Sequence, residues 1–357
     1  MKAAPTGKAA FNIKGNKLHS TFKIPVNRGF SYCTLDRDRL NTIRTQLRKL
    51  QVIFIDEISM VGSGMFNFLN LRLQQITDTN RPFGGLSIIA VGDLYILQPV
   101  FDKWIFERSN DVYSAFATNI WKEYFSMFEL TEIMLQKDDK DFAELLNGLR
   151  EGKQTQDDIT VLKLRLLKSK LGEPNYPASL THVFSSNELV NAYNEAVFNL
   201  FQSATAQINA IGIVIGDVSD EFKDELKKKI PDDPSKTMGL YKKLNITAGS
   251  KYDLTINVDV SDGLTNGAER EVQDIDYRVA ESQRPRIIWV TFSDGSISNK
   301  QSKEYSFLLR DKMENMTPIF EITRQFKISN RNQLQVLRRQ FPLRPAAAKT
   351  IHRYQPG

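Results

Sequence analysis

The chain has 357 residues, of which 41% are hydrophobic and 10% aromatic. This length is about two to three times a typical ~150-residue domain, so two or three domains are expected and a disordered peptide is excluded. Lysine and arginine outnumber aspartate and glutamate by 48 to 42, and the resulting net charge of +6 favours an anionic partner only weakly.

The basic residues are concentrated at the two ends of the sequence. Residues 1–35 contain six lysines or arginines and no acidic residue, and residues 322–357 contain eight and again no acidic residue. Such acid-free segments on a nearly neutral body are typical of surfaces that bind one polyanion. The alternative is that these lysines and arginines only make surface loops soluble and bind no partner.

Disulfides, zinc sites and membrane spans are not indicated. Cys33 is the one cysteine, and the histidines His19, His182 and His352 are too far apart in sequence to suggest a zinc site. The sequence has no run of about eighteen apolar residues, and its first thirty residues lack the apolar region of a secretory signal. We therefore expect an intracellular protein without a membrane partner.

The first third of the chain alternates helical and strand patterns. Residues 36–49 carry apolar side chains at helical spacing, and the apolar strand pattern QVIFID follows at 51–56. The helical period returns at 64–79, the strand pattern LSIIAVGD follows at 86–93, and a further helix is expected around Trp121. Strands that alternate with helices predict a parallel α/β sheet.

A second α/β pattern follows a helix expected from Lys140 and closed by Gly152. It consists of a strand at 181–187 and a helix at 189–200. Between about 250 and 310, alternating β-type segments are separated by glycine and aspartate turns. This change predicts an all-β insert inside the second α/β unit.

The strongest local signal for chemistry is the pair Asp56-Glu57 at the end of the apolar strand pattern. Open α/β sheets bind ligands at the carboxyl ends of their strands. In nucleotide hydrolases an aspartate at this place holds Mg²⁺ and a following glutamate activates the attacking water. The alternative is a strand that ends in a solvated acidic turn.

A second signal strengthens the first. Gly92-Asp93 ends the next strand pattern and is followed by Leu97-Gln98. In helicases this spacing is that of a sensor of the γ-phosphate and of DNA. Gly92-Asp93 alone could be a simple turn, but the combination with Asp56-Glu57 about forty residues earlier is far more specific.

These features resemble the Pif (petite integration frequency) DNA helicases of superfamily one, known from eukaryotic genomes and mobile elements. The resemblance covers essentially the whole chain. The matching segments are residues 4–10 with 18–20 (motif Ia), Asp56-Glu57 (Walker B), 92–100 (motif III), 130–136 (motif IV), 257–268 (an Asn-rich stretch) and 341–355 (motif V).

The resemblance implies an α/β fold of two RecA-like parallel-sheet domains, with a small SH3-like β-barrel insert in the second. The implied bounds are 1–127 for the first RecA-like domain, 128–261 with 336–357 for the second, and 262–335 for the insert. The implied function is ATP-dependent unwinding of DNA in the 5′ to 3′ direction, with roles in repair, recombination and telomere maintenance. The implied location is the nucleus or the mitochondrion.

The resemblance also implies the roles of single residues. Asp56 binds Mg²⁺ and Glu57 is the general base. The nucleotide ATP, as substrate, is contacted by Asp56, Gly92, Asp93, Gln98 and Gln136. Single-stranded DNA and DNA junctions are the implied partners, and the implied DNA-binding residues are Pro5, Thr6, Gly7, Lys8, His19, Thr350, His352 and Arg353.

The chain departs from the family pattern at positions that serve ATP hydrolysis. No GxxxxGK segment followed by Ser or Thr occurs, and Lys8 is not its lysine because Ala9 follows. Motif VI is also missing, Ile96 stands where the family has glutamine, and Leu135 stands where it has arginine. We expect impaired ATP turnover, because an arginine at the transferred phosphoryl group contributes about 10³ to 10⁵ in rate. The alternative is a non-catalytic remnant, or a truncated gene model, that retains only single-stranded DNA binding.

Overall fold

The computed structural model divides by its contacts into two compact units, Met1–Tyr176 and Pro177–Gly357. It describes all residues except 26–29, 109–118, 135, 137, 167–168, 174, 178, 201–204, 217–218, 278–283, 310–314, 328–334 and 355–357. The predicted motif IV residue Leu135 therefore lies outside the described residues.

The elements of the two units follow in chain order. The helices are α1 (Gly7–Asn12), α2 (Leu18–Thr21), α3 (Arg37–Leu47), α4 (Ser63–Thr77), α5 (Ile120–Tyr124), α6 (Lys140–Glu151), α7 (Gln156–Leu164), α8 (Asn187–Leu200), α9 (Asp220–Lys228) and α10 (Asn299–Glu304). The strands are β1 (Lys2–Ala4), β2 (Asn16–Lys17), β3 (Val52–Ile55), β4 (Ser87–Ala90), β5 (His182–Phe184), β6 (Thr205–Asn209), β7 (Ile211–Ile215), β8 (Lys243–Thr247), β9 (Lys251–Leu254), β10 (Glu269–Tyr277), β11 (Pro285–Thr291), β12 (Thr317–Ile319), β13 (Ile322–Lys327), β14 (Gln335–Gln340), β15 (Leu343–Pro345) and β16 (Ala348–Thr350).

The first unit is built on a four-stranded parallel sheet in the order β2-β1-β3-β4. Ile53 and Ile55 of β3 point into a core that they share with apolar residues of α3 and α4. On the other face of the same strands, Phe54 and Ile89 lie side by side and are each 43% exposed. The predicted parallel α/β sheet is confirmed.

Local sequence signals account for the ends of the helices that were predicted. Asp36 accepts a hydrogen bond from the backbone N–H of Arg39 and begins α3, and Asp139 does the same for Phe142 at the start of α6. Gly152 ends α6 at φ 69°, a conformation that favours glycine. These two helices are therefore largely determined by their own residues.

The second unit is mainly antiparallel. A five-stranded sheet in the order β12-β11-β10-β9-β15 shares one apolar core with the pair β6-β8. A separate sheet in the order β13-β14-β7 packs against α9 through a small cluster that includes Val336. Among the described residues, parallel pairing in this unit is limited to β5 and β16, beside α8.

The apolar run 126–130 forms neither helix nor strand, and Phe128 and Leu130 are almost fully exposed. One segment differs from the sequence prediction. The expected all-β insert also contains a helix, α10. Asp262 stabilises the start of α10, because its two carboxylate oxygens accept the backbone N–H groups of Lys300 and Gln301, both at 2.9 Å.

Candidate functional site

The carboxyl ends of β3 and β4 bring the predicted nucleotide residues together. Asp56 and Glu57 follow β3, and Gly92 and Asp93 follow β4, its parallel neighbour. The N–H of Ile58 donates to the carbonyl oxygen of Val91 at 3.1 Å, which joins the two chain segments beyond the strands. The sheet therefore places three carboxylates on one edge, as expected from the carboxyl-end rule.

Gly92 lets these two segments approach closely. Its φ of 149° is one that residues with a side chain rarely adopt, and a Cβ atom there would lie 2.8 Å from the backbone nitrogen of Ile58. Glu57 also has a positive φ, 52°, which turns the chain sharply after the strand. The backbone thus fixes the spacing between Glu57 and Asp93.

The surroundings of Glu57 at this edge shift the pKa of its carboxyl group. Burial raises the pKa of the Glu57 carboxyl above its ordinary value, and the nearby carboxylates of Asp56 and Asp93 raise it further. A carboxyl group with a raised pKa is a better general base than an ordinary surface glutamate. Carboxylate oxygens are also the ligands that Mg²⁺ prefers.

Arg150 was not expected at this site. Its Nη2 donates to Oδ1 of Asp93 at 2.7 Å, and its guanidinium carbon lies 4.9 Å from the centroid of the Tyr95 ring. The residue is on α6, more than fifty positions after Asp93 in sequence. Nothing in the helical pattern of 140–152 distinguishes Arg150 from a surface arginine, so its contact with Asp93 could not be predicted from sequence.

The other predicted nucleotide residues make no such contacts. Gln98 is exposed, and neither its side chain nor that of Gln136 forms a hydrogen bond among the described residues. Gln136 takes part through its backbone, whose carbonyl oxygen accepts from the N–H of Asp139 at 3.0 Å. The contacts of Gln98 and Gln136 with ATP remain predictions.

The motif Ia residues lie at the start of the first unit, around β1 and α1. Pro5 and Gly7 are buried, and the Thr6 hydroxyl accepts from the N–H of Ala9 and caps α1. Lys8 is partly exposed on α1. His19, on α2, is half-buried, and burial with the nearby Lys17 lowers its pKa to about 4.

His19 should make the stability of the first unit depend on pH. The folded pKa, about 4, lies below the unfolded value of about 6.5, so the unfolded chain binds the proton first as the pH falls. Its contribution is present above about pH 6.5 and is lost towards pH 4. The slope is at most ~1.4 kcal/mol per pH unit, and less because the imidazole is partly exposed. Denaturant titrations should give a shallower pH dependence for His19→Gln, and an equal dependence would contradict this.

The motif V segment is less exposed than its charge suggests. Lys349 is 6% exposed, and its Nζ lies 2.9 Å from Asp253 and 2.7 Å from Glu269. Thr350 begins a short 3-10 turn, Ile351–Arg353. The acid-free C-terminal segment therefore offers fewer free cations than its sequence predicts, since Lys349 is paired within the unit.

Arg353 lines a cavity of about 270 Å³ together with Arg344, Tyr241 and Asn194. Burial lowers the pKa of the Arg353 guanidinium, and the neighbouring Arg344 lowers it further, while the nearby Tyr241 opposes this shift. The side chain of His352 lies outside what the structure describes. Lys349 lines the same cavity but is paired with Asp253 and Glu269, so Arg353 is the predicted DNA-binding cation that borders this open space.

Comparison with known proteins agrees with this geometry. A sequence model described as PIF1-like helicase matches residues 1–160. The ATP-dependent DNA helicase PIF1 of Candida albicans is 33% identical over 215 residues, which are 58% of this chain and 23% of that protein. The Xenopus laevis protein of the same name is 25% identical over 353 residues, 99% of this chain and 48% of that protein.

Solved structures share the fold of this chain over nearly its whole length. The crystal structure of Pif1 helicase from Candida albicans has a TM-score of 0.65 and 26% identity, over 99% of this chain and 75% of that one. Pif1 helicase from Bacteroides in complex with ADP-AlF3 and ssDNA has a TM-score of 0.65 at 23% identity, covering 99% and 73%. The chain is thus similar to PIF1-like helicases, by sequence over residues 1–160 and by fold over nearly its whole length.

The likeness to solved Pif1 helicases confirms the α/β fold expected from the resemblance. The chain spans 23%, 29% and 48% of the length of the first three curated PIF1 relatives. None of the described helices combines the length and the apolar character needed to cross a bilayer. Within the described part of this PIF1-like chain, no three His, Cys, Asp or Glu side chains are arranged to hold a metal by themselves.

Proposed function

We propose that this chain takes part in ATP-dependent, 5′ to 3′ DNA unwinding, with impaired ATP turnover in the chain as given. The observation that carries the proposal is the carboxylate edge, where Asp56, Glu57 and Asp93 meet at the ends of two parallel strands. Relatives named ATP-dependent DNA helicases support it. The proposed domains are 1–127, 128–261 with 336–357, and the SH3-like insert 262–335.

The chemistry of the edge fits a magnesium nucleotide. Mg²⁺ is usually held by one or two protein carboxylates, with substrate phosphates and water completing its shell. Asp56 can supply such a ligand, and when bound the ion would supply charge neutralisation at the phosphates. Glu57, with its raised pKa, can accept a proton from the attacking water. Because Gly92 has no Cβ atom, the segment that follows β4 can pack against the backbone of Glu57 and Ile58.

Single-stranded DNA and DNA junctions are the proposed partners. Lys8 on α1 and Arg353 beside the motif V turn are the candidate phosphate contacts, and the neutral His19 can offer a ring face or a hydrogen bond. Repair, recombination and telomere maintenance in the nucleus or the mitochondrion are the proposed roles, by analogy with the family.

A second function is favoured by the departures in sequence. A chain with Ala9, Ile96 and Leu135 can bind single-stranded DNA without hydrolysing ATP. Both functions share the DNA contacts and differ in the use of Glu57. The two can therefore be separated by turnover measurements.

Phosphate release with and without single-stranded DNA tests the proposal. We expect wild-type turnover below about 1 s⁻¹, the low end for enzymes, and a further loss of about 10² to 10⁴ in Glu57→Gln. Turnover of about 1 s⁻¹ or more that disappears in Glu57→Gln would show that it is not impaired. Equal release from both proteins would favour the non-catalytic function.

DNA anisotropy titrations complete this test. Lys8→Ala and Arg353→Ala should each weaken binding of single-stranded DNA and lower the salt slope by about 0.7 in log-log units. Lys303→Ala is the matched control, because Lys303 is exposed and lies outside both acid-free segments. Unchanged affinity in both test variants would contradict a role of these segments in DNA binding.

A further inference from the structure

Arg150 makes two contacts with the turn that follows β4, and a hydrogen bond within the turn links them. Its Nη2 lies 2.7 Å from Oδ1 of Asp93, and its guanidinium lies over the ring of Tyr95 at 4.9 Å. The backbone N–H of Tyr95 donates to the same Asp93 oxygen at 2.9 Å. One arginine therefore holds both the carboxylate and the aromatic ring of a single turn.

That turn is packed against the candidate general base. Gly92 leaves no room for a Cβ atom beside Ile58, and Val91 accepts the N–H of Ile58. Asp93 is also close enough to act electrostatically on Glu57. A displacement of Asp93 or of the turn would thus be transmitted to Glu57 through the backbone.

The helix that carries Arg150, α6, is capped at both ends and has buried residues. Asp139 caps its first turn, Gly152 closes its last, and Ala143 and Leu145 are buried. The side chains of Arg150 and Asp93 are 39% and 30% exposed, so the pair is partly shielded from water. Among the ion pairs of the described residues, this is the one that involves the carboxylates of the edge.

We propose that Arg150 is a positioning residue of the nucleotide site, which holds the Gly92–Tyr95 turn against Glu57 and neutralises Asp93. The inference rests on the proposed ATP-dependent function, because only that function needs Glu57 in a fixed place. Arg150 acts through Asp93 and not on the nucleotide itself. A lysine cannot replace it fully, since an ammonium lacks the planar fork that both donates to a carboxylate and stacks on a ring.

Amide hydrogen exchange on the nucleotide-free full chain tests the contact directly. In Arg150→Ala we expect faster exchange at Tyr95 and Ile58, with Arg150→Lys in between. Guanidinium ion at a non-denaturing concentration should partly restore protection in Arg150→Ala. Lys140→Ala, which removes a charge from the exposed start of the same helix, should match wild type. Equal protection in Arg150→Ala and Lys140→Ala would overturn the proposal.

The activity measurement separates this inference from the proposed function. Where ATP is turned over, Arg150→Ala should lower kcat about tenfold or more with little change in KM, as a small displacement of a catalytic group does. A changed KM with constant kcat would overturn the positioning role. Absence of wild-type turnover would contradict the hydrolysis proposal alone, and the exchange result would still decide whether Arg150 holds the turn.

Discussion

Replacing Asp253 by alanine is expected to lower the free energy of unfolding of the second unit by about 3–5 kcal/mol. Asp253 is fully buried on β9, and its carboxylate lies 2.9 Å from Lys349 and 3.2 Å from Arg344. Removing one partner of a buried ion pair leaves the other charge without compensation, which costs much more than losing an exposed pair.

A further buried cation increases the expected loss. Arg270 is 1% exposed, and its Nε and Nη1 have no hydrogen-bond partner among the described residues. Burial lowers the pKa of Arg270 to about 9 and the charge of Asp253 opposes this, so the guanidinium is charged at neutral pH. Without Asp253, Glu269 would be the nearest carboxylate left to the buried Lys349.

Amide exchange in β9 and β10 measures this effect, because it reports on the second unit alone. The matched control is Glu271→Ala, which removes an exposed carboxylate from β10 and should change stability by less than about 0.5 kcal/mol. Adding Lys349→Met to Asp253→Ala should recover part of the loss. Similar exchange in Asp253→Ala and Glu271→Ala would contradict the idea that this buried network stabilises the unit.

The carboxylate edge could be predicted from sequence because its signal is local. An apolar strand that ends in Asp56-Glu57 needs no knowledge of the rest of the fold, and neither do the caps of α3 and α6. The pairing of Lys349 with Asp253 joins residues almost a hundred positions apart. Charge counts along the chain cannot separate such a buried lysine from one that is free to bind DNA.

The regions where the prediction was wrong also have physical causes. The β-type segments expected between about 250 and 310 include the alternating pattern 253–260, but β9 ends at Leu254. Asn257 accepts the N–H of Asn266 at 2.8 Å, and Asp259 accepts that of Ser261 at 2.9 Å. Short polar side chains that form hydrogen bonds with nearby backbone groups compete with strand pairing. In this segment they stabilise a loop instead of a strand.

Gly92→Ala is expected to disrupt the carboxylate edge, because it adds a methyl group where the segments after β3 and β4 meet. A positive φ costs a non-glycine residue about 1–3 kcal/mol. The new Cβ would also lie 2.8 Å from the Ile58 nitrogen, a backbone atom that cannot move without shifting Glu57. We therefore expect a loss of at least about 3 kcal/mol in the protection of the Ile58 amide, whose acceptor is Val91.

Gly85→Ala separates the two causes, since it shares the backbone strain but lacks the clash. Gly85 has φ 76°, and a Cβ there would meet its nearest atom, Cδ of Arg81, at an ordinary 3.6 Å. Exchange should show a loss of about 1–2 kcal/mol near Gly85, with Ile58 protection unchanged. If Gly92→Ala behaved like Gly85→Ala, the close approach of the two segments would not hold Glu57. The geometry of the carboxylate edge would then depend on side chains such as Arg150 alone, because the backbone would tolerate a wider spacing between Glu57 and Asp93.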